Sequence, residues 1–289
     1  MADALSFLPR RVRALLPQRW RKDAPVVPVV RLSGTIGMSA PFSASLTLAG
    51  CAKALEKAFC VKDAPAVALL INSPGGSPVQ SHLIFKRIRA LAEEREKHVF
   101  AFVEDVAASG GYMIACAADE IFADPCSVVG SIGVVSAGFG FDKAIARFGI
   151  ERRVYTAGEK KVSLDPFRPE RPEDVERLDV LLKELHVVFA DLVRARRGVT
   201  LTADEATLFS GEFWLATQAL GLGLLDGLGD VRSTLRARYG EGVELPLMEG
   251  PKPFFLRRPG GFSGALAHDA AAGALAAAEA RALWARYGL

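Results

Sequence analysis

Three apolar runs dominate the first half of the chain: VVPVVRLSGTI over 26–36, AVALLIN over 66–72 and VFAFVE over 99–104. Long continuous apolar stretches in place of strict alternation read as strands buried on both faces, the condition of a parallel sheet covered by helices. LAGCAKALEKAFC, between the first two, has helical spacing. After SPGG, Ser77 and Gln80 form a capping box, Pro78 suits a first helical turn, and Val79, Leu83, Ile88 and Leu91 mark one face of the next helix. Strand, glycine turn, helix and strand is the order of a βαβ unit. Further on, EIFAD and SIGVVSAGFG read as short strands, RRVYTAG (152–158) as a strand or extended edge, and DKAIARFG as a short helix capped by Asp142. A long helix begins near RPERPED, with Leu178, Leu181, Leu185, Val188 and Leu192 as its stripe and Gly198 as its C-cap. Thr202 and Glu205 are read as the cap of the following helix, and 215–229 as a helix passing into a glycine-rich turn.

Composition narrows the function classes. The 289 residues are 50% hydrophobic, enough for a substantial α/β core, and 36 basic against 33 acidic side chains leave a charge of +3. With no zinc finger, aromatic RNA-binding motif or sustained internal basic run, no nucleic-acid partner is expected. Cys51, Cys60, Cys116 and Cys126 lack CxxC spacing and read as reduced core thiols of a cytoplasmic protein, though their even number leaves a disulfide open. Residues 1–25 form a basic and apolar leader, 26–245 the main domain, and 246–289 a linker with a peripheral, alanine-rich C-terminal helix. Leu5, Phe7, Leu8 and Trp20 alternate with arginines over 4–22, which suits peripheral contact with the inner face of an anionic membrane. Pro9 and Pro17 interrupt that segment, so a disordered or protein-docked leader is an equal reading. No stretch is long and apolar enough to span a bilayer, and no signal peptide is read.

The chemistry gathers at three places. Ser109 sits in AASGG between a strand and a short helix, where it is either a helix cap or an exposed nucleophile, because Ala107, Ala108, Gly110 and Gly111 crowd it with little bulk. Gly75 and Gly76, at the end of a buried strand, either form a plain turn or bring backbone N–H groups close to a substrate. Lys161 is either a surface lysine or a base, walled by Val162, Leu164, Pro166 and Phe167. A lysine acts as a base near neutrality only where its pKa falls from about 10.4 by roughly 2 to 3 units. His82, His98, His186 and His268 sit in no persuasive motif and are read as structural or surface residues. No cofactor or metal is expected.

Over roughly 26–240 the chain resembles the S49 serine peptidases, the signal peptide peptidase A and SohB-like enzymes. LLINSPGGSPVQS is similar to their oxyanion segment, VEDVAASGGYMIACAADEIFADPCSVVGSIGVV to their nucleophile segment, and GEKKVSLDPF to the G-x-x-K-x-x-x-x-P-F context of their base. The resemblance implies a ClpP/crotonase-like parallel-sheet core and a Ser/Lys dyad of Ser109 and Lys161. It also implies an oxyanion hole at Gly76, with Gly75 shaping the turn and Gly110 a further donor. It implies endopeptidase action on unfolded or signal-peptide-like peptides, in a homo-oligomer whose dyad is formed within one chain or between neighbours. Two alternatives stand beside it. One is a crotonase-like acyl-CoA enzyme, for which Glu104 and Asp105 are the nearby carboxylates; the other is a non-catalytic peptide-binding scaffold.

Overall fold

The computed structural model describes residues 24–37, 45–158, 160–249, 278 and 280–289; the leader over 4–22, His268 and most of the linker lie outside them. Five parallel strands run in the order β1 (Val29–Ser33), β2 (Ala66–Ser73), β3 (His98–Ala108), β4 (Glu120–Ala123) and β7 (Gly227–Leu228). The eleven-residue β3 is long enough to serve two neighbours. Its first half pairs with β4, and Val106–Ala108 pairs with β5 (Val128–Gly130), which carries the antiparallel β6 (Phe213–Leu215). The expected α/β architecture, a parallel sheet with flanking helices, is present.

The continuous apolar runs are explained by which face each residue takes. Val67, Leu69 and Ile71 of β2 and Val99, Ala101 and Val103 of β3 belong to the larger core cluster. Their alternates Ala66, Ala68, Phe100 and Phe102 enter a smaller cluster on the opposite face. Side chains alternate with period two, so a strand covered on both faces needs apolar residues at every position. The larger face is covered by α1 (Leu48–Phe59), α2 (Pro78–Arg95) and α3 (Gly110–Ala115), the smaller by Leu235 and Tyr239 of α7 (Val231–Tyr239).

Helix termini follow the sequence with some changes of partner. Ser77 caps α2 by accepting from the Gln80 N–H, but the Gln80 side chain does not turn back to complete a box. Its Oε1 accepts from the Leu48 N–H at 3.0 Å and so caps the start of α1. Val79 and Leu83 are exposed, and Ser81, Ile84, Ile88 and Leu91 are the buried face. One helical position is about 100° of rotation, so the stripe through 84 and 88 excludes 83. Asp204, not Thr202, caps α6 (Glu205–Leu208) through the Thr207 N–H, and Phe141, not Asp142, is the cap residue of α4 (Asp142–Arg147).

The chain changes character after β5. SIGVVSAGFG forms no strand, because β5 ends at Gly130 just before it, and RRVYTAG forms none either. From 135 to 171 the backbone is largely irregular and exposed, leading into α5 (Pro172–Arg197). The 26-residue α5 buries Phe189, Ala190, Leu192, Val193 and Arg197 near its C-terminal end. In the rest of the helix Val175, Val180 and Leu181 face solvent, as do Val187 and Val188 just before the buried stretch. Leu181 and Val188 are therefore not core positions of this chain.

The four cysteines are free: Cys51 and Cys116 are buried, Cys60 and Cys126 exposed. Burial pushes the Cys116 thiol up to about 12 and the Cys51 thiol up to about 11, which leaves both as inert apolar side chains near neutrality.

Candidate active site

Ser109 ends β3 and opens α3. Its N–H donates to the Gly130 carbonyl at 2.8 Å, and its carbonyl accepts from the Met113 N–H at 3.0 Å. Between those anchors its backbone takes φ 52° and ψ −120°, a conformation costly for a residue bearing a Cβ. The hydroxyl makes no capping bond to the helix it precedes. The helix-cap reading of Ser109 thus finds no support, and the side chain stands half-buried at the edge of a cleft.

The small residues around it are sterically required. Gly110 lies so close to Ser81 that a Cβ would collide with the Ser81 hydroxyl, itself bonded to the Ser77 carbonyl at 2.8 Å. α3 is entirely buried, and its C-terminal end is held from outside the helix. Arg196 donates to the Cys116 and Ala118 carbonyls, both at 2.9 Å, while Arg89 donates to the Ala117 carbonyl at 3.2 Å and to Asp119 at 2.8 Å. Side-chain donors at helix C-termini satisfy carbonyls that have no partner within the helix.

The Pro74–Gly76 segment passes directly beside Ser109. The Gly75 N–H is engaged by the Ser73 hydroxyl at 3.3 Å, and the Gly75 carbonyl accepts from the Ile36 N–H at 2.9 Å. At Gly76, φ is 141° and a Cβ would collide with the Ile36 carbonyl. The Gly76 and Gly110 N–H groups donate to no acceptor among the described residues. Of the three glycines, Gly76 and Gly110 therefore keep a donor available, and Gly75 shapes the turn.

The cleft beside Ser109 has a volume of about 1300 Å³. Met113, Val134, Phe189, Phe213, Leu283 and Tyr287 are among its apolar lining residues. The sequence offered no sign of Ser131, which lines the same cleft with φ 51°, nor of His186, whose Nε2 lies 3.2 Å from the Ile132 carbonyl. A backbone conformation and a contact across 54 residues leave no local pattern in a sequence.

Lys161 is not brought to Ser109 within this chain. It is exposed, its N–H donates to the Gly158 carbonyl at 3.2 Å, and it is not among the residues lining the cleft. Leu164 and Phe167, expected to shield it, are themselves more than a third exposed. Lys183 does line the cleft, but its ammonium is already engaged by Asp179 at 2.6 Å in an exposed position. Glu104 pairs with Arg31 at 2.7 Å and Asp105 accepts from Asn72 at 2.5 Å; neither lines the cleft. The carboxylates considered for acyl-CoA chemistry thus stand apart from Ser109. No group of His, Cys, Asp and Glu among the described residues could hold a metal ion, and no described helix is long and apolar enough to cross a membrane.

The chain is similar to several known proteins. Over 299 aligned positions the chain is 54% identical to a protein of Brucella abortus named Na(+)/H(+) antiporter NhaA, a match covering 99% of this chain and 40% of that protein. It is 31% identical to the chloroplastic serine protease SPPA of Arabidopsis thaliana, across 81% of this chain and 35% of the plant protein. This chain thus spans well under half the length of both relatives. A solved membrane-bound stomatin-specific protease superposes with a TM-score of 0.49 at 15% identity, covering 79% of this chain and 99% of that one. The family model described as peptidase family S49 matches residues 92–243, the stretch that contains both Ser109 and Lys161. The chain belongs to peptidase family S49.

Proposed function

We propose that the protein is a serine-type endopeptidase in which Ser109 is the nucleophile and Lys161 the general base. The observation that carries this reading is the Ser109 backbone at φ 52°, which holds an uncommitted hydroxyl on a cleft that the unengaged Gly76 also lines. In the reaction, Lys161 as a neutral amine takes the Ser109 proton while Oγ attacks the peptide carbonyl carbon. The Gly76 and Gly110 N–H groups donate to the oxyanion as it forms, an interaction worth about 3 kcal/mol for one such donor. The Lys161 ammonium then protonates the departing amine, the C–N bond breaks, and water releases the acyl group from Ser109.

Unfolded peptides with small or apolar side chains near the cut suit a cleft with apolar walls, because a folded domain cannot present an extended backbone to it. A neutral amine requires that water be kept from it, and Lys161 is exposed in the single chain. We therefore place the working site in a homo-oligomer, where a neighbouring copy covers Lys161 and brings it to a serine.

Labelling by a fluorophosphonate tests the reading. Wild type should be acylated, Ser109→Ala should not, and Lys161→Ala should react at least about 100-fold more slowly, the low end of what a general base supplies. A folded oligomer that neither acylates nor cuts unfolded casein would instead be the peptide-binding scaffold.

A further inference from the structure

The last described segment borders the cleft. Residues 280–285 are helical, and Tyr287 just beyond them makes two contacts with the body. Its hydroxyl makes a long hydrogen bond to the Pro74 carbonyl at 3.5 Å, and its ring meets Phe213 edge-on with centroids 5.0 Å apart. Pro74 begins the turn that carries Gly75 and Gly76, and Phe213 begins β6, so one side chain ties the segment to two separate elements that line the cleft. Leu283 and Tyr287 are half-buried and line the cleft together with Ser109 and Met113.

With this segment in place the cleft still has about 1300 Å³. Ligand sites of roughly 300–1,000 Å³ hold drug-sized molecules, so the segment borders the space and leaves it open. To the lining it supplies Leu283 and Tyr287 beside Ala282 and the charged Arg286, and the two large apolar side chains border the same space as Met113, Val134, Phe189 and Phe213.

From this arrangement we infer that residues 280–287 are a wall of the peptide site, and that Leu283 and Tyr287 select substrates with a large apolar side chain near the scissile bond. The inference rests on the peptidase reading for the identity of the ligand, and it adds the specificity residues of that site. Contact with the Tyr287 ring accounts for only part of the burial of a large apolar side chain. Removing the ring should therefore weaken an apolar peptide about tenfold.

The test uses the full chain carrying Ser109→Ala, which separates binding from chemistry. Two fluorescein-labelled unstructured peptides are compared by anisotropy, one with Leu and Phe at its centre and one with Ser and Gly in their place. Adding Tyr287→Ala should raise the dissociation constant of the apolar peptide about tenfold and that of the polar peptide less than twofold, while Tyr287→Phe should restore apolar binding. Leu283→Ala with Tyr287→Ala should weaken the apolar peptide further, and thermal melts of each variant report whether the fold is kept. Equal losses for both peptides, or none in the double variant, would overturn the inference. So would tighter binding after deletion of 280–289, which would make the segment a competing occupant. Failure of wild type to acylate would count against the peptidase reading and leave this binding comparison intact.

Discussion

Ser109 is held in a backbone geometry that its own chemistry does not favour. A residue with a Cβ at φ 52° costs about 1–3 kcal/mol, sustained here by the bonds to Gly130 and Met113 on either side. Glycine adopts that conformation freely, although its more flexible unfolded state offsets about 0.5–1 kcal/mol. Ser109→Gly should therefore be about 1 kcal/mol more stable than Ser109→Ala, a rise of about 3 °C in Tm, with both variants inactive. Calorimetry of the two proteins checks this, and equal melting points would show that the site stores no strain. The neighbouring small residues were legible in the sequence because a crowded turn demands them. The dihedral was not, since serine is an ordinary residue ahead of a helix and nothing local says that its hydroxyl will leave the cap position empty.

At the scale of elements, α3 is a six-residue helix whose position depends on side chains from α2 and α5. Asp119 joins them: it accepts from Arg89 at 2.8 Å, Arg196 at 3.2 Å and the Val99 N–H at 2.9 Å. Burial raises the Asp119 carboxyl, but the Val99 N–H and the two guanidiniums outweigh it and hold the group below its ordinary value of 3.8. A carboxyl depressed in the folded state stabilises fully above that ordinary value, and the contribution disappears as the pH falls through the lower folded-state value. Asp119→Asn should thus cost about 1–3 kcal/mol at pH 7, and the gap between the two proteins should narrow as urea unfolding is repeated towards pH 3. A gap independent of pH would remove the charge from the explanation. The core strands were readable because burial on both faces forces unbroken apolar runs. Arg196 and Arg89 were not, because arginines on amphipathic helices look alike whether they cap a distant helix or face water.

For the whole molecule, the unexplained surface is the stretch from 135 to 188. Tyr155 is 91% exposed and Phe148 81%, and Phe139, Phe141 and Phe167 form a ladder with centroids 6.0 and 5.6 Å apart. Exposed apolar area on this scale marks an interaction surface. The sequence placed Leu181 and Val188 on a buried face, and helical periodicity is the same whether a stripe packs on its own chain or on another copy. That ambiguity is why the domain core was legible and the destination of Lys161 was not. If a second copy covers this surface, wild type should sediment as an oligomer, and Phe148→Ser with Tyr155→Ser should yield folded, smaller species with little peptide cleavage. Co-refolding Ser109→Ala with Lys161→Ala chains then separates the two arrangements of the dyad. In a heterologous ring assembled at random from equal amounts, about a quarter of the interfaces receive both intact residues, so activity should return to about that fraction. Mixed oligomers without any recovery would put Ser109 and Lys161 of one chain in the same site. A fully active monomer would leave the exposed aromatic ladder without a role in catalysis.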